Sequence, residues 1–187
     1  MRIIAGRLGR RSLSSPKGPG TRPTTDLVRG ALFNIVGARV LDARVLDLFA
    51  GTGAVGLEAL SRGASEVTWV ESDPQALAVL RRNVTDLAPE ALPGVRRAKV
   101  EAFLATVTTY DLVFADPPYA QNPTQLAAAI LNSGAVDPGG CLVIEHESGR
   151  EPQLLPAPWE IRSTRRYGDS SLTFIASAAT TDAESPG

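Results

Sequence analysis

Between residues 45 and 146, short apolar runs alternate with segments whose apolar positions recur every three or four residues. The runs 45–49 (VLDLF), 66–71 (EVTWVE), 95–100 (VRRAKV), 110–115 (YDLVFA) and 140–146 (GCLVIEH) are rich in β-branched and aromatic residues and predict strands. Helical spacing predicts helices over 54–62, 74–86, 101–107 and 123–133. This alternation makes βαβ units, hence an α/β fold with a mainly parallel sheet and helices on both faces. Two further runs, 159–166 and 170–177, have only Gly168-Asp169 between them and predict a C-terminal antiparallel hairpin, for seven strands in all.

Upstream the pattern differs. Residues 1–13 alternate loosely, and Ile3, Ile4 and Leu8 with Gly6 and Gly9 suggest a short hairpin. Residues 14–24 (SSPKGPGTRPT) read as a linker or ordered loop. A helix begins near Thr25, a suitable N-cap, with Leu27, Val28, Ala31, Leu32, Ile35 and Val36 on one face. The expected division is a basic N-terminal extension over 1–24, a main domain over 25–177 and a disordered tail over 178–187.

Charge alters this picture. Residues 1–44 hold nine Lys/Arg against Asp26 and Asp42, a net +7, which leaves −8 for residues 45–187 in a chain of net charge −1. A basic arm on an acidic body suits a polyanionic partner. Composition narrows the class further. No run reaches the ~18 apolar residues of a membrane helix, and Arg7, Arg10 and Arg11 interrupt the place of a secretory signal. One cysteine, Cys141, and one histidine, His146, leave no internal disulfide and few zinc ligands. A cytoplasmic, metal-independent protein is expected, and a monomer, since no exposed apolar repeat suggests an obligate partner.

Candidate chemistry lies in two loops. Gly51-Thr52-Gly53-Ala54-Val55-Gly56 follows a strand and opens a helix, so it satisfies GxGxxG; the glycines permit a tight turn and close approach to a ligand. Glu71 ends the next strand, where a carboxylate can accept from both ribose hydroxyls of an adenosine-type ligand. Asp47, inside the first strand, favours S-adenosylmethionine over NAD, because its carboxylate can hold a cationic amino group. Glu101 follows the third strand, where it or the adjacent backbone could reach the adenine edge. The second loop, Asp116-Pro117-Pro118-Tyr119, follows the fourth strand. An aromatic exocyclic amine is a poor nucleophile; the Asp116 carboxylate and Pro117 carbonyl can accept from its N–H groups and stabilise the developing positive charge. The prolines restrict the backbone, and Tyr119 offers a flat face for a base removed from its stack. Asp116 counts in both the catalytic and the cofactor-binding sets.

Other notable side chains have plainer expectations. Cys141 belongs to strand packing, and His146 is expected at the surface or the cleft edge. Trp69 and Phe114 should be core, while Trp159 suits either the core or an RNA-facing surface.

The motif order VLDLFAGTGAVGLEALSRGA (45–64), WVESD (69–73), DPPY (116–119) and YGDSSL (167–172) resembles the Rossmann-like class I methyltransferases. With RIIAGRLGRRSL (2–13) and TRPTTDLVRGALFNIV (21–36), it resembles more narrowly the bacterial 16S rRNA guanine-N2 methyltransferase family, over about residues 2–175. The resemblance implies S-adenosylmethionine as methyl donor and N2 of one guanine, guanine 966 of 16S rRNA, as target. The substrate it implies is the small ribosomal subunit or a late assembly intermediate. Asp47, Gly51, Gly53 and Glu71 would hold the donor and Asp116 to Tyr119 the guanine. Arg22, Thr24 and Thr25 would lie near the methionine end or the RNA entrance, and Arg2, Arg7, Arg10, Arg11, Lys17 and Arg22 would contact RNA. Gly30 departs from the family, which usually has Glu there. Three other readings stay open: an adenine-N6 or side-chain amide methyltransferase, an NAD-binding oxidoreductase, and a noncatalytic RNA-binding module. Amide methylation more often goes with Asn at the position of Asp116. An oxidoreductase needs a Tyr/Lys or His arrangement that is not apparent, and an intact DPPY argues against loss of catalysis.

Overall fold

The computed structural model describes residues 1–15 and 26–178. Seven strands form one sheet: β1 (Arg44–Leu48), β2 (Glu66–Glu71), β3 (Val95–Arg97), β4 (Tyr110–Ala115), β5 (Val136–Glu147), β6 (Trp159–Tyr167) and β7 (Ser170–Ser177). Their order is β3-β2-β1-β4-β5-β7-β6. The strands β1 to β5 pair in parallel, while β7 runs antiparallel to both β5 and β6. Five helices accompany them: α1 (Asp26–Val36), α2 (Ala54–Ser61), α3 (Pro74–Leu87), α4 (Val100–Leu104) and α5 (Pro123–Asn132). The longer crossings have strong start signals. Asp73 caps α3 by accepting from Gln75 N and Ala76 N, Asn122 caps α5 likewise from Thr124 N and Gln125 N, and a proline occupies the first turn of each.

The expected parallel sheet and terminal hairpin are both present. Three elements shift by more than one residue. The third strand stops at Arg97 because its only partner, β2, ends with the pair Glu71–Arg97, and Val100 turns into α4 and buries instead. The helix expected over 101–107 therefore occupies Val100–Leu104. The fifth strand starts earlier, at Val136, through a register shift opposite Tyr110 and Leu112.

Alternation along the strands divides the core between the two faces. Val45, Trp69, Leu112, Phe114, Val143 and Leu172 face a cluster shared with α1, α2, α3 and the N-terminal residues. Leu46, Leu48, Val113, Ala115, Leu142 and Ile144 face a second cluster with α4 and α5. Trp69 and Phe114 are core, as expected, and Cys141 is buried, its thiol pushed up to about 11 by desolvation. Trp159 packs partly buried against the second cluster, which decides its orientation in favour of the core.

Residues 1–13 fold back on themselves, with Ile3 N donating to Arg11 O, Arg10 N to Ile3 O and Leu13 N to Met1 O. This pairing includes a single antiparallel bridge, Arg2 to Ser12. The segment is fastened to α2. Glu58, fully buried, accepts from Ile4 N at 2.7 Å, Ala5 N at 3.0 Å and Arg62 Nε at 2.8 Å, and lies 3.6 Å from Arg29 Nε of α1. No helix among the described residues is long and apolar enough to cross a membrane.

Candidate active site at the sheet edge

Strand order reverses between β1 and β4, which places their C-terminal ends side by side with Leu48 opposite Ala115. Ligands of open α/β sheets bind at such a switch point. The glycine loop leaves β1 here and the Asp116–Tyr119 loop leaves β4, so residues more than sixty positions apart in the chain become neighbours. Asp116 N donates to Leu48 O at 3.4 Å and joins the start of one loop to the end of the other strand.

The glycines have separate tasks. Gly51 and Gly53 have φ of +55° and +77°, and Gly53 is the N-cap of α2. A Cβ on Gly51 would meet nothing nearer than 3.9 Å, so this backbone borders open space and can approach a ligand. Gly56 serves packing: a Cβ there would lie 2.1 Å from Trp69 Nε1.

Carboxylates beneath and beside the loop organise it. Asp47 is 2% exposed and its Oδ2 accepts from Gly56 N at 3.0 Å. Burial pushes its carboxyl well above the usual range against that hydrogen bond, and the nearby charges of Asp116 and Glu71 push the same way. Glu71 accepts from Gly51 N at 2.8 Å through Oε2 and from Ser72 N and Asp73 N at 2.7 Å through Oε1. It therefore shapes the glycine loop and the entry to α3, a task not legible before the fold. Asn83 adds a third tie, donating to Thr52 O at 2.9 Å and to Ser14 O at 3.1 Å.

A cavity of about 270 Å³ opens beside this loop, lined by Phe49, Val70, Glu71, Ser72 and 98–101. Of the residues assigned to the cofactor, Glu71 and Glu101 line it. Phe49, at φ +57°, and Lys99 line it too, and sequence reasoning did not single them out. Apolar side chains beside two carboxylates suit a flat heterocycle joined to a sugar with free hydroxyl groups. The open Gly51 backbone and the buried Asp47 suit the remainder of a cationic amino-acid nucleoside. S-adenosylmethionine has these parts, so the residues present fit it.

On the other side, Pro117, Pro118, Tyr119, Gln121, Pro123, His146, Glu147 and Arg150 line a shallow concavity. Asp116 is half-buried and Pro117 buried, whereas Tyr119 is 38% exposed. His146 lines this concavity, the cleft-edge one of its two expected placements, but is not at the surface: it is 3% exposed, with Nε2 2.8 Å from Thr173 Oγ1 and Nδ1 2.9 Å from Glu147 O. The antiparallel pairing of β5 with β7 encloses it, so it lines the concavity from within rather than from the surface. Arg2, Arg7, Arg10 and Arg11 are exposed on the N-terminal segment, Arg7 paired with Glu90 at 3.1 Å. Lys17, Arg22, Thr24 and Thr25 lie outside the described residues.

The chain matches the family model described as Conserved hypothetical protein 95 over residues 1–176. It is 34% identical to ribosomal RNA small subunit methyltransferase D of Escherichia coli K12, over 90% of this chain and 85% of that protein. To the Haemophilus influenzae protein of the same name it is 32% identical, over 90% and 89%. Its structure is similar to that of yhhF, a candidate methyltransferase of Escherichia coli, with a TM-score of 0.84 and 32% identity over 96% and 98% of the two chains.

Proposed function

This chain belongs to the Conserved hypothetical protein 95 family of small-subunit ribosomal RNA methyltransferases, and from that membership we propose that it methylates the exocyclic N2 amine of one guanine in 16S rRNA, with S-adenosylmethionine as donor. The observation that carries this reading is the adjacency of two loops: the glycine loop after β1 and Asp116–Tyr119 after β4 meet at the strand-order reversal. The donor supplies a methyl group on a positively charged sulfur, open to attack by a nitrogen lone pair. Everything else falls to the protein.

Glu71 and Glu101 face the cavity that would take the adenosine part, and the Gly51 backbone would run along the chain joining it to the sulfur. The Asp47 carboxylate balances the cationic amino group. The Asp116 carboxylate and the Pro117 carbonyl would accept from the two N–H groups of the guanine amine, turning its lone pair toward the methyl group and stabilising the positive charge that builds on nitrogen until one of those protons is lost to solvent. Tyr119 stacks on the extruded base. Arg2, Arg7, Arg10 and Arg11, with Lys17 and Arg22, would hold the RNA backbone as an N-terminal extension to the methyltransferase domain, in the small subunit or a late precursor of it. A monomer suffices for this arrangement.

The test offers labelled S-adenosylmethionine with unmethylated small subunits, naked 16S rRNA, DNA or protein. Transfer to guanine N2 of the ribosomal substrate is expected; label on adenine or on protein, or none on RNA in any assembly state, overturns the reading. In Asp116→Ala, turnover should fall by roughly 10²–10³-fold, the usual cost of one group that stabilises transition-state charge. Donor binding, measured by calorimetry, should largely persist.

A further inference from the structure

Two side chains from distant parts of the chain grip the far end of the Asp116–Tyr119 loop. The Tyr119 hydroxyl lies 2.8 Å from Ser170 Oγ, and Arg150 NH1 donates to the Tyr119 carbonyl at 2.7 Å. Both ends of this residue are thus engaged while the residue as a whole stays 38% exposed. The gripping residues are themselves held. Ser170 is the first residue of β7, paired across the sheet with Glu147 on one side and Tyr167 on the other. Its turn, Gly168-Asp169, is fastened by Ser148, whose N donates to Asp169 O at 2.8 Å and whose hydroxyl donates to Gly168 O at 3.1 Å. Arg150 lies 3.6 Å from Glu147 Oε2.

We propose that Ser170 and Arg150 are positioning residues for methyl transfer, setting the plane of the Tyr119 ring and the path of the loop from outside it. The inference rests on the reading of Asp116–Tyr119 as the amine-binding loop. The beginning of that loop is tied to β1 through Asp116 N and Leu48 O, and Pro117 and Pro118 stiffen its middle. Its end has no strand to join, because α5 starts only at Pro123. A phenol anchored at its hydroxyl keeps one ring orientation, so a stacked base meets a fixed plane. Without the anchor the ring samples other rotamers, and the base with it, at the expense of alignment between amine and methyl group. The YGDSSL turn is in this account part of the catalytic apparatus, although it touches no reacting atom.

Ser170→Ala, Tyr119→Phe and the double variant are compared with the full chain on small subunits. Each single change should lower kcat about tenfold, the rate equivalent of one hydrogen bond, with KM for S-adenosylmethionine unchanged. The double variant should be no slower than the slower single one, because both remove the same bond. Parent-like kcat in Ser170→Ala, or multiplied losses in the double variant, overturns the proposal. Ring-labelled tyrosine NMR gives a reading independent of turnover, with only three tyrosines to assign. Ser170→Ala should shift the Tyr119 signal and leave that of Tyr110 in place, and an unchanged Tyr119 signal overturns the proposal too. A parent chain that methylates no RNA would overturn the reading of the loop, while the spectrum would still decide the clamp.

Discussion

Asp47 opposes stability in the free protein, and the proposed donor site gives it a use. Its carboxyl is pushed up chiefly by burial, so the folded chain favours the protonated form more than the unfolded chain does. The resulting contribution to stability is full at acid pH and is lost as pH rises through the raised pKa. Asp47→Asn keeps an acceptor for Gly56 N and carries no charge. The ligand-free variant should therefore melt above the parent, by a margin that widens with pH in differential scanning calorimetry. For S-adenosylmethionine the sign reverses: affinity should drop about ten- to a hundredfold, as for a lost charge-assisted hydrogen bond. Calorimetric titration of both proteins across pH checks this, and equal affinities would remove Asp47 from the binding site. The same side chain was conspicuous in the sequence as an acid within an apolar strand, and Gly56 as a motif glycine, but not the hydrogen bond between them. At Glu71 the residue type was equally legible; two of its backbone donors, Ser72 N and Asp73 N, are local, whereas the third, Gly51 N, depends on where the glycine loop lies.

Among the elements, α2 links the glycine loop to the N-terminal segment. Its Glu58 replaces water for two backbone N–H groups and two guanidinium groups in a fully buried position. Glu58→Ala would leave the buried Arg29 without its neighbouring charge there and free Ile4 and Ala5. A loss of about 3–5 kcal/mol is expected in chemical denaturation, since two backbone N–H groups lose their acceptor and the buried Arg29 keeps only Asp26 as a counter-charge. Amide exchange at Ile4 and Ala5 should accelerate more than at Val113, a fully buried residue of the central sheet. Equal acceleration everywhere would mean that Glu58 stabilises the fold without fastening the segment. Periodicity located this helix to within one residue at its end, yet nothing in the spacing distinguishes Glu58 from a solvated acid. Boundaries failed where neighbours set them, as at β3, whose length is the length of overlap with β2.

For the whole molecule, the described N-terminal residues 1–15 carry four arginines and no acid, and are fastened to α2. Arg10 and Arg11 are exposed and form no ion pair with a carboxylate among the described residues, unlike Arg7. If they meet phosphates, a doubly substituted Arg10→Ala, Arg11→Ala chain should bind ribosomal RNA with a log–log salt slope shallower by roughly 1.5, at about 0.7–0.9 per phosphate. Filter binding over a salt series measures this, and an unchanged slope would assign both arginines to solvent. Strand and helix types, the glycine loop, the DPPY loop and the terminal hairpin were determined by the sequence alone, because spacing, proline and glycine act over a few residues. Tertiary structure alone decided that Tyr119 is held by Ser170 and Arg150, that His146 is enclosed, and that Glu58 anchors the N-terminus. Each of these depends on contacts across 27 to 54 residues of chain, and no local pattern encodes which distant group arrives. The sequence displays the candidate loop, and the fold supplies its anchors.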